Sequence, residues 1–273
     1  MQRRSDPDAG GRGSAGEFGT SSLTAPRTYK ATAIVLRARN LGEADKIYTL
    51  FTRERGKVDA VAKGVRRARS SLAGRLEFMN EVTLTMHRGR SLDVITAAQI
   101  ERSYFNEIVQ PPAFIATSVM GELIDAFCEA ELAVPEIFNL LHLALHAVRK
   151  VSDPLSLLPR FELRLLDALG LAPPTEECVR CGSALEGKPA WLDIDSGGLA
   201  GTECRATWMN VVELDGDDVE NFQALSAARD SMRRATLIAR PQVARAIDAL
   251  IAYHLGRRPK AGAQTAEFVR PAS

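Results

Sequence analysis

From Tyr29 to Ser103 the chain is a series of short strand-like runs broken by turn signals, and no interval between them is long enough for a crossover helix. That feature favours a small antiparallel barrel or sandwich over a parallel sheet. TAIVLRARN opens the series, followed by KIYTLFTRERGKVDAVAKGV, which Arg55-Gly56 punctuates as a hairpin would. In FMNEVTLTMHRGRSLDVITAAQIERS, Val82, Leu84 and Met86 alternate with Thr83, Thr85 and His87 before a turn at Arg88-Gly89-Arg90. A period of two puts the first set on a buried face. Five strands in about 75 residues match the count of an OB-type barrel.

After Pro111-Pro112 the period becomes helical, with an apolar stripe of Ile115, Val119, Met120, Leu123, Ile124 and Phe127. The same texture runs through PEIFNLLHLALHAVRKV and PLSLLPRFELRLLDALG, which Gly170 ends, and returns in DDVENFQALSAARDSMRRA and PQVARAIDALIAYHLG. The expected fold is α+β and multi-domain. Residues 1–27 read as a disordered tail, 28–104 as a five-stranded antiparallel OB-fold barrel, and 105–258 as an α-helical domain with an irregular, cysteine-containing insert at about 173–210. Residues 259–273 read as a frayed end.

A whole-chain net charge of +1 conceals a polarised molecule. Residues 28–103 carry 15 Lys+Arg against 8 Asp+Glu, a net of +7, whereas residues 104–273 carry 16 against 23, a net of −7. Compact positive charge suits phosphate backbones, whose neutralisation releases counterions. No apolar run approaches the roughly 18 to 20 residues of a spanning helix, and no secretory signal opens the chain. Four cysteines are too few for a disulfide framework. The expected location is the cytoplasm.

The densest basic stretch is KGVRRARSSLAGR, in which Lys63, Arg66, Arg67, Arg69 and Arg75 are interleaved with glycines and serines. Such a loop follows a phosphate backbone without fixing a base register. Arg88 and Arg90 flank the second turn, Arg53, Arg55 and Lys57 the first, and Lys30, Arg37 and Arg39 lie on the opening strand. The candidate DNA-binding set is Lys30, Arg37, Arg39, Lys57, Lys63, Arg66, Arg67, Arg69, Arg75, Arg88 and Arg90. Aromatics are scarce, namely Tyr29, Tyr48, Phe51, Phe78, Tyr104 and Phe105, and most are expected in the core. Backbone electrostatics should therefore outweigh stacking, with affinity falling steeply as salt rises.

The stretch YKATAIVLRARNLGEADKIYTLFTRERGKVDAVAKGVRRARS resembles the opening of the RecO family of recombination mediators. The likeness rests on the Gly42-Glu43-Ala44-Asp45 turn, the Phe51-Thr52-x-x-x-Gly56 step and the Lys63-Gly64-Val65-Arg66-Arg67 block. Cys178-Val179-Arg180-Cys181-Gly182 followed by Ser196-Gly197-Gly198 is similar to that family's central zinc-binding insert. What the resemblance implies is an OB-fold domain, a helical domain with a zinc-finger-like insert, and binding of single- and double-stranded DNA in the nucleoid. It also implies annealing of complementary strands, and partnership with RecR and single-stranded-DNA-binding protein in loading RecA. A generic OB-type RNA-binding module is the alternative.

The cysteines depart from that pattern. A closed structural zinc site takes four ligands, and only Cys178, Cys181 and Cys204 are available, because GGLAGTEC places Gly201 where a third cysteine would stand. His142 or His146 would have to approach in space. A degenerate knuckle held by ordinary packing is the favoured expectation, and zinc on the three thiols the other. His142 and His146 are four apart but lack the glutamate of HExxH, so a half-buried pair is expected. Asp215, Asp217, Asp218 and Glu220 suit a helix start better than a nuclease metal site. Cys128 falls on an apolar stripe and reads as core. With no GxxxxGK[ST] loop and no GxSxG elbow, neither nucleotide binding nor catalysis is expected.

Overall fold

In the computed structural model, which describes residues 27–104, 108–204, 210–228, 232 and 237–261, the strand-rich region forms five strands. These are β1 (Thr28–Leu41), β2 (Asp45–Thr52), β3 (Gly56–Ala62), β4 (Glu81–His87) and β5 (Asp93–Arg102). They close into a barrel in the order β1-β2-β3-β5-β4, a five-stranded closure consistent with the OB fold. Val82, Leu84 and Met86 are fully buried, as their alternation requires. They pack inside with Ala31, Ala33, Val35, Tyr48, Leu50 and Ala60. One pairing departs from the purely antiparallel expectation: Ala60 and Val61 lie parallel to Asp93 and Val94. The long segment between β3 and β4 carries the chain across the barrel end, so that β5 closes onto β3 in the same sense.

β1 serves two neighbours. Its first half pairs with β4 and its second with β2, and a bulge between Val35 and Arg37 lets the strand turn the corner. Ile34, Leu36 and Phe51 point out of the barrel into the core of the helical part.

That part comprises α1 (Pro111–Phe127), α2 (Pro135–Val148), α3 (Leu158–Ala168), α4 (Gly216–Ala227) and α5 (Pro241–Leu255). α1, α2 and α5 open on proline, whose missing N–H is harmless in a first turn. Asp215 caps α4: its carboxylate accepts from the Asp218 N–H at 2.7 Å, and Asp218 accepts from the Asp215 N–H at 3.3 Å. Arg240 then binds Asp218 at 2.6 Å. The acidic run is thus a helix start, as expected.

The segment read as irregular contains a small sheet. β6 (Ala190–Asp193), β7 (Gly198–Gly201) and β8 (Val211–Leu214) pair in the order β7-β6-β8. Four-residue strands are too short to show a period, which is why the pattern missed them. Among the described residues no helix is long and apolar enough to cross a membrane. The expected N-terminal tail apart from Arg27, residues 262–273 of the expected C-terminal tail, and Phe105 all lie outside the described residues.

On α3, Glu162 is buried and its Oε2 has no hydrogen-bond partner. Burial, with the Asp248 charge adding to it, pushes this carboxyl well above its ordinary value of 4.5. A raised carboxyl pKa favours the protonated fold, so the group's contribution is present in acid and is lost as pH climbs above about 4.5 towards the folded pKa. Glu162→Gln is expected to flatten this dependence and to equal or exceed the parent's melting temperature at pH 8. A variant that melts lower than the parent at pH 8 while matching it at pH 5 would contradict that account.

Candidate nucleic-acid interface

The β1–β2 turn and the segment following β3 meet at one end of the barrel. The Gly64 N–H donates to the Asp45 carboxylate at 2.7 Å and the Arg66 N–H to the Ala44 carbonyl at 2.9 Å. The Arg66 guanidinium reaches the Gly42 carbonyl at 3.0 Å. Val65 and Leu76 insert into the barrel core as two apolar pegs. With these pegs inside, Lys63, Arg66, Arg67 and Arg69 are left exposed. Strand register adds two more cations, since Arg39 pairs with Ile47, and Lys46 lies between Asn40 and Ala62, next to Lys63. Lys46 was missed in the sequence because it stands apart from the basic run, directly after Asp45, and only pairing brings it to the cluster.

The other candidates are dispersed. Arg75 belongs to the same segment, but its guanidinium is tied to the Ala98 carbonyl at 3.1 Å. Lys30, Arg88 and Arg90 are exposed around the opposite end of β1, where Thr28 pairs with His87. The Arg88 and Arg55 guanidiniums lie 5.5 Å and 4.8 Å from the centre of the Tyr29 ring. Burial and the neighbouring Asp93 carboxylate push the Tyr29 hydroxyl up to about 12. Burial also opposes ionisation of Asp93, but hydrogen bonds from Tyr29, Gly89 and Arg55 outweigh it and hold this carboxyl below the usual range.

Arg37 and Lys57 lie at the seam with the helices, where both bind Asp125 of α1, at 2.9 Å and 3.3 Å. Arg55 binds Glu131 at 2.9 Å, and the Phe51 ring stacks 6.1 Å from Phe138. OB barrels commonly present the outer face of their second and third strands to nucleic acid. In this chain the helices occupy part of that face, through Phe51 and Lys57. Asp125→Asn is expected to cost no more than about 1 kcal/mol, because the pairs are partly exposed. It is also expected to raise DNA affinity at low salt by freeing the exposed Arg37, while Lys57 keeps its hydrogen bond to the Asp125 backbone carbonyl. Weaker DNA binding by a stably folded Asp125→Asn protein would sink that expectation.

No barrel aromatic among the described residues is exposed: Tyr48, Phe51 and Tyr104 are buried, and Phe78 packs on Phe114 at 5.7 Å. The surface therefore offers charge rather than stacking platforms.

The three candidate thiols converge. The sulfurs of Cys178, Cys181 and Cys204 all lie within 4.8 Å of one another, a set able to hold a metal ion. In a tetrahedral site with metal–sulfur bonds of about 2.3 Å, neighbouring sulfurs stand roughly 3.8 Å apart, so the residues fit such an ion after small side-chain adjustments. Hydrogen bonds from Ser183, with the neighbouring thiols adding to them, bring the exposed Cys181 thiol down to about 7. His142 and His146 do not complete the set. His142 binds Glu81 at 2.9 Å and stacks 5.5 Å from His146, which lies 2.7 Å from Arg102. Burial, then the Arg102 charge, lowers the His146 pKa.

Fold and site together define a class: a basic OB-type barrel whose outer wall is packed against an acidic helical body. The description Recombination protein O N terminal matches residues 27–104, and Recombination protein O C terminal matches residues 110–263. The chain belongs to the RecO family of DNA repair proteins. Among its relatives, a DNA repair protein RecO of Nocardioides sp. is 35% identical over 241 residues, covering 84% of this chain and 95% of that one. One from Bifidobacterium longum is 40% identical over 174 residues, 63% of this chain and 72% of that one. Another, from Dehalococcoides mccartyi, is 29% identical over 249 residues, 88% and 95% of the two chains.

Proposed function

We propose that this protein is a non-catalytic mediator that binds single- and double-stranded DNA and anneals complementary strands. With RecR, it would help load RecA onto DNA coated by single-stranded-DNA-binding protein. The observation that carries the DNA-binding part is the cluster of exposed cations at one barrel end, held by a loop whose apolar residues are pegged inside. Cations spread over a rigid end, without exposed rings, neutralise phosphates and leave bases free to pair, which is what annealing requires. Annealing, RecR partnership and RecA loading are supported by family membership. Lys63, Arg66, Arg67 and Arg69 carry the contact, with Arg39 and Lys46 beside them; Arg37, Lys57 and Arg75 serve the fold. The barrel over 28–104 is the DNA-binding domain, the helical part over 105–258 a docking body, and the nucleoid of the cytoplasm the place of action.

Cys178, Cys181 and Cys204 are the residues that would hold a structural zinc, which would tie the knuckle to β7; annealing does not run through it. The test is annealing of complementary oligonucleotides without added metal or nucleotide. The parent protein is expected to accelerate pairing, and the variant with Lys63, Arg66, Arg67 and Arg69 changed to Ala to lose most of that acceleration. Absence of annealing by the parent would overturn the reading, and preference for structured RNA over single-stranded DNA would replace it with an RNA-binding module.

A further inference from the structure

The thiol triad is more tightly built than a degenerate knuckle needs to be. Cys178 is buried, and its sulfur accepts the N–H groups of Arg180 and Gly201, each at 3.4 Å. These two N–H groups, one from the knuckle and one from β7, hold the sulfur in place within the triad. The knuckle is fixed by the Gly182 N–H on the Cys178 carbonyl at 2.8 Å and the Cys178 N–H on the Ser183 carbonyl at 2.9 Å. The Val179 N–H holds the Leu199 carbonyl at 2.8 Å, joining the knuckle to β7, which leads directly to Cys204. The approach is so close that a Cβ on Gly198 would stand 2.3 Å from Val179 Cγ1.

Gly201 supplies no fourth ligand. A Cβ there would meet only Leu185 Cδ2, at an ordinary 3.7 Å, so a side chain fits at this position, and the exposed Cys181 leaves the triad open to solvent. Among the described residues no other histidine, cysteine or carboxylate joins the group. We propose that the triad binds a thiophilic divalent ion such as zinc through Cys178, Cys181 and Cys204, and leaves the fourth coordination position to an exogenous ligand, a small thiol or an imidazole. Structural zinc sites close their shell with four protein ligands, whereas three protein ligands leave a position that exchanges with solvent. This rests on the reading of the triad as a metal site and makes it an open one.

Cobalt(II) added to the reduced, full-length protein tests both parts by visible absorption. One equivalent is expected to give the thiolate charge-transfer and d–d bands of a tetrahedral site. Imidazole or a small thiol is then expected to shift the d–d bands saturably. Cys181 is exposed, so Cys181→Ala should leave the fold intact and weaken cobalt binding by at least about 100-fold. Gly201→Cys is expected to keep the bands and lose the response to added ligand. Absence of tetrahedral bands in the parent would overturn the metal site itself. Tetrahedral bands that ignore imidazole and thiol would overturn the open position alone.

Discussion

Gly56→Ala is expected to destabilise the protein by about 3 to 5 kcal/mol, lowering its melting temperature by roughly 10 °C. Gly56 ends the β2–β3 turn at φ +67, where any Cβ is strained by about 1 to 2 kcal/mol. Strain is the smaller effect. A Cβ at this position would stand 1.9 Å from the Leu132 carbonyl oxygen, which is backbone and cannot swing aside. Leu132 belongs to the α1–α2 connection, where the Glu131 N–H donates to the Lys57 carbonyl at 2.9 Å and Ala130 bridges to Lys57. The methyl group would therefore drive the barrel off the helices at the point where Arg55 and Lys57 are paired. Thermal unfolding gives the number, and a loss below 1 kcal/mol would show that the seam yields more easily than this contact implies.

The second large effect concerns salt. Each neutralised phosphate contributes about 0.9 to the slope of log affinity against log salt for duplex DNA and about 0.7 for single strands. With Lys63, Arg66, Arg67 and Arg69 replaced by Ala, the slope should become shallower by about 3 to 4 for duplex and about 3 for single strands. Affinity at low salt should fall on the order of 10³-fold. Replacing Lys30, Arg88 and Arg90 instead tests the other end of β1 and is expected to matter less, since Arg88 already rests on the Tyr29 ring. An unchanged slope in the first variant would remove the cluster as the phosphate contact, whatever the annealing rate.

The barrel was legible because its two clearest signals are local. Val82, Leu84 and Met86 announce a buried face by alternation, and the turns at Arg55-Gly56 and Arg88-Gly89-Arg90 fall where the hairpins are. The parallel closure of β3 on β5 was not legible, because strand direction in a barrel depends on where a long connection lands. Site residues divided along the same line. Lys63 to Arg69 form a run and were visible as one, whereas Lys46 joins them only through its register with Ala62. Arg37 and Lys57 look like their neighbours in sequence, yet Asp125, which claims both, lies far along the chain. The convergence of Cys204 on the Cys178 knuckle depends on β6 and β7, whose four residues each leave no periodic trace.

The ion-paired seam has a kinetic consequence. Asp125 and Glu131 offset two of the three cations they touch, so the exposed cations at the barrel ends dominate the positive side while the excess negative charge lies in the helical part of the sequence. A molecule of nearly zero net charge built in this way is an electric dipole, and a polyanion's field turns it before contact. Under the proposed DNA-binding function, encounters would begin with the cationic barrel leading and the acidic body trailing. The rate of association, and not only the lifetime of the complex, becomes a quantity that salt controls.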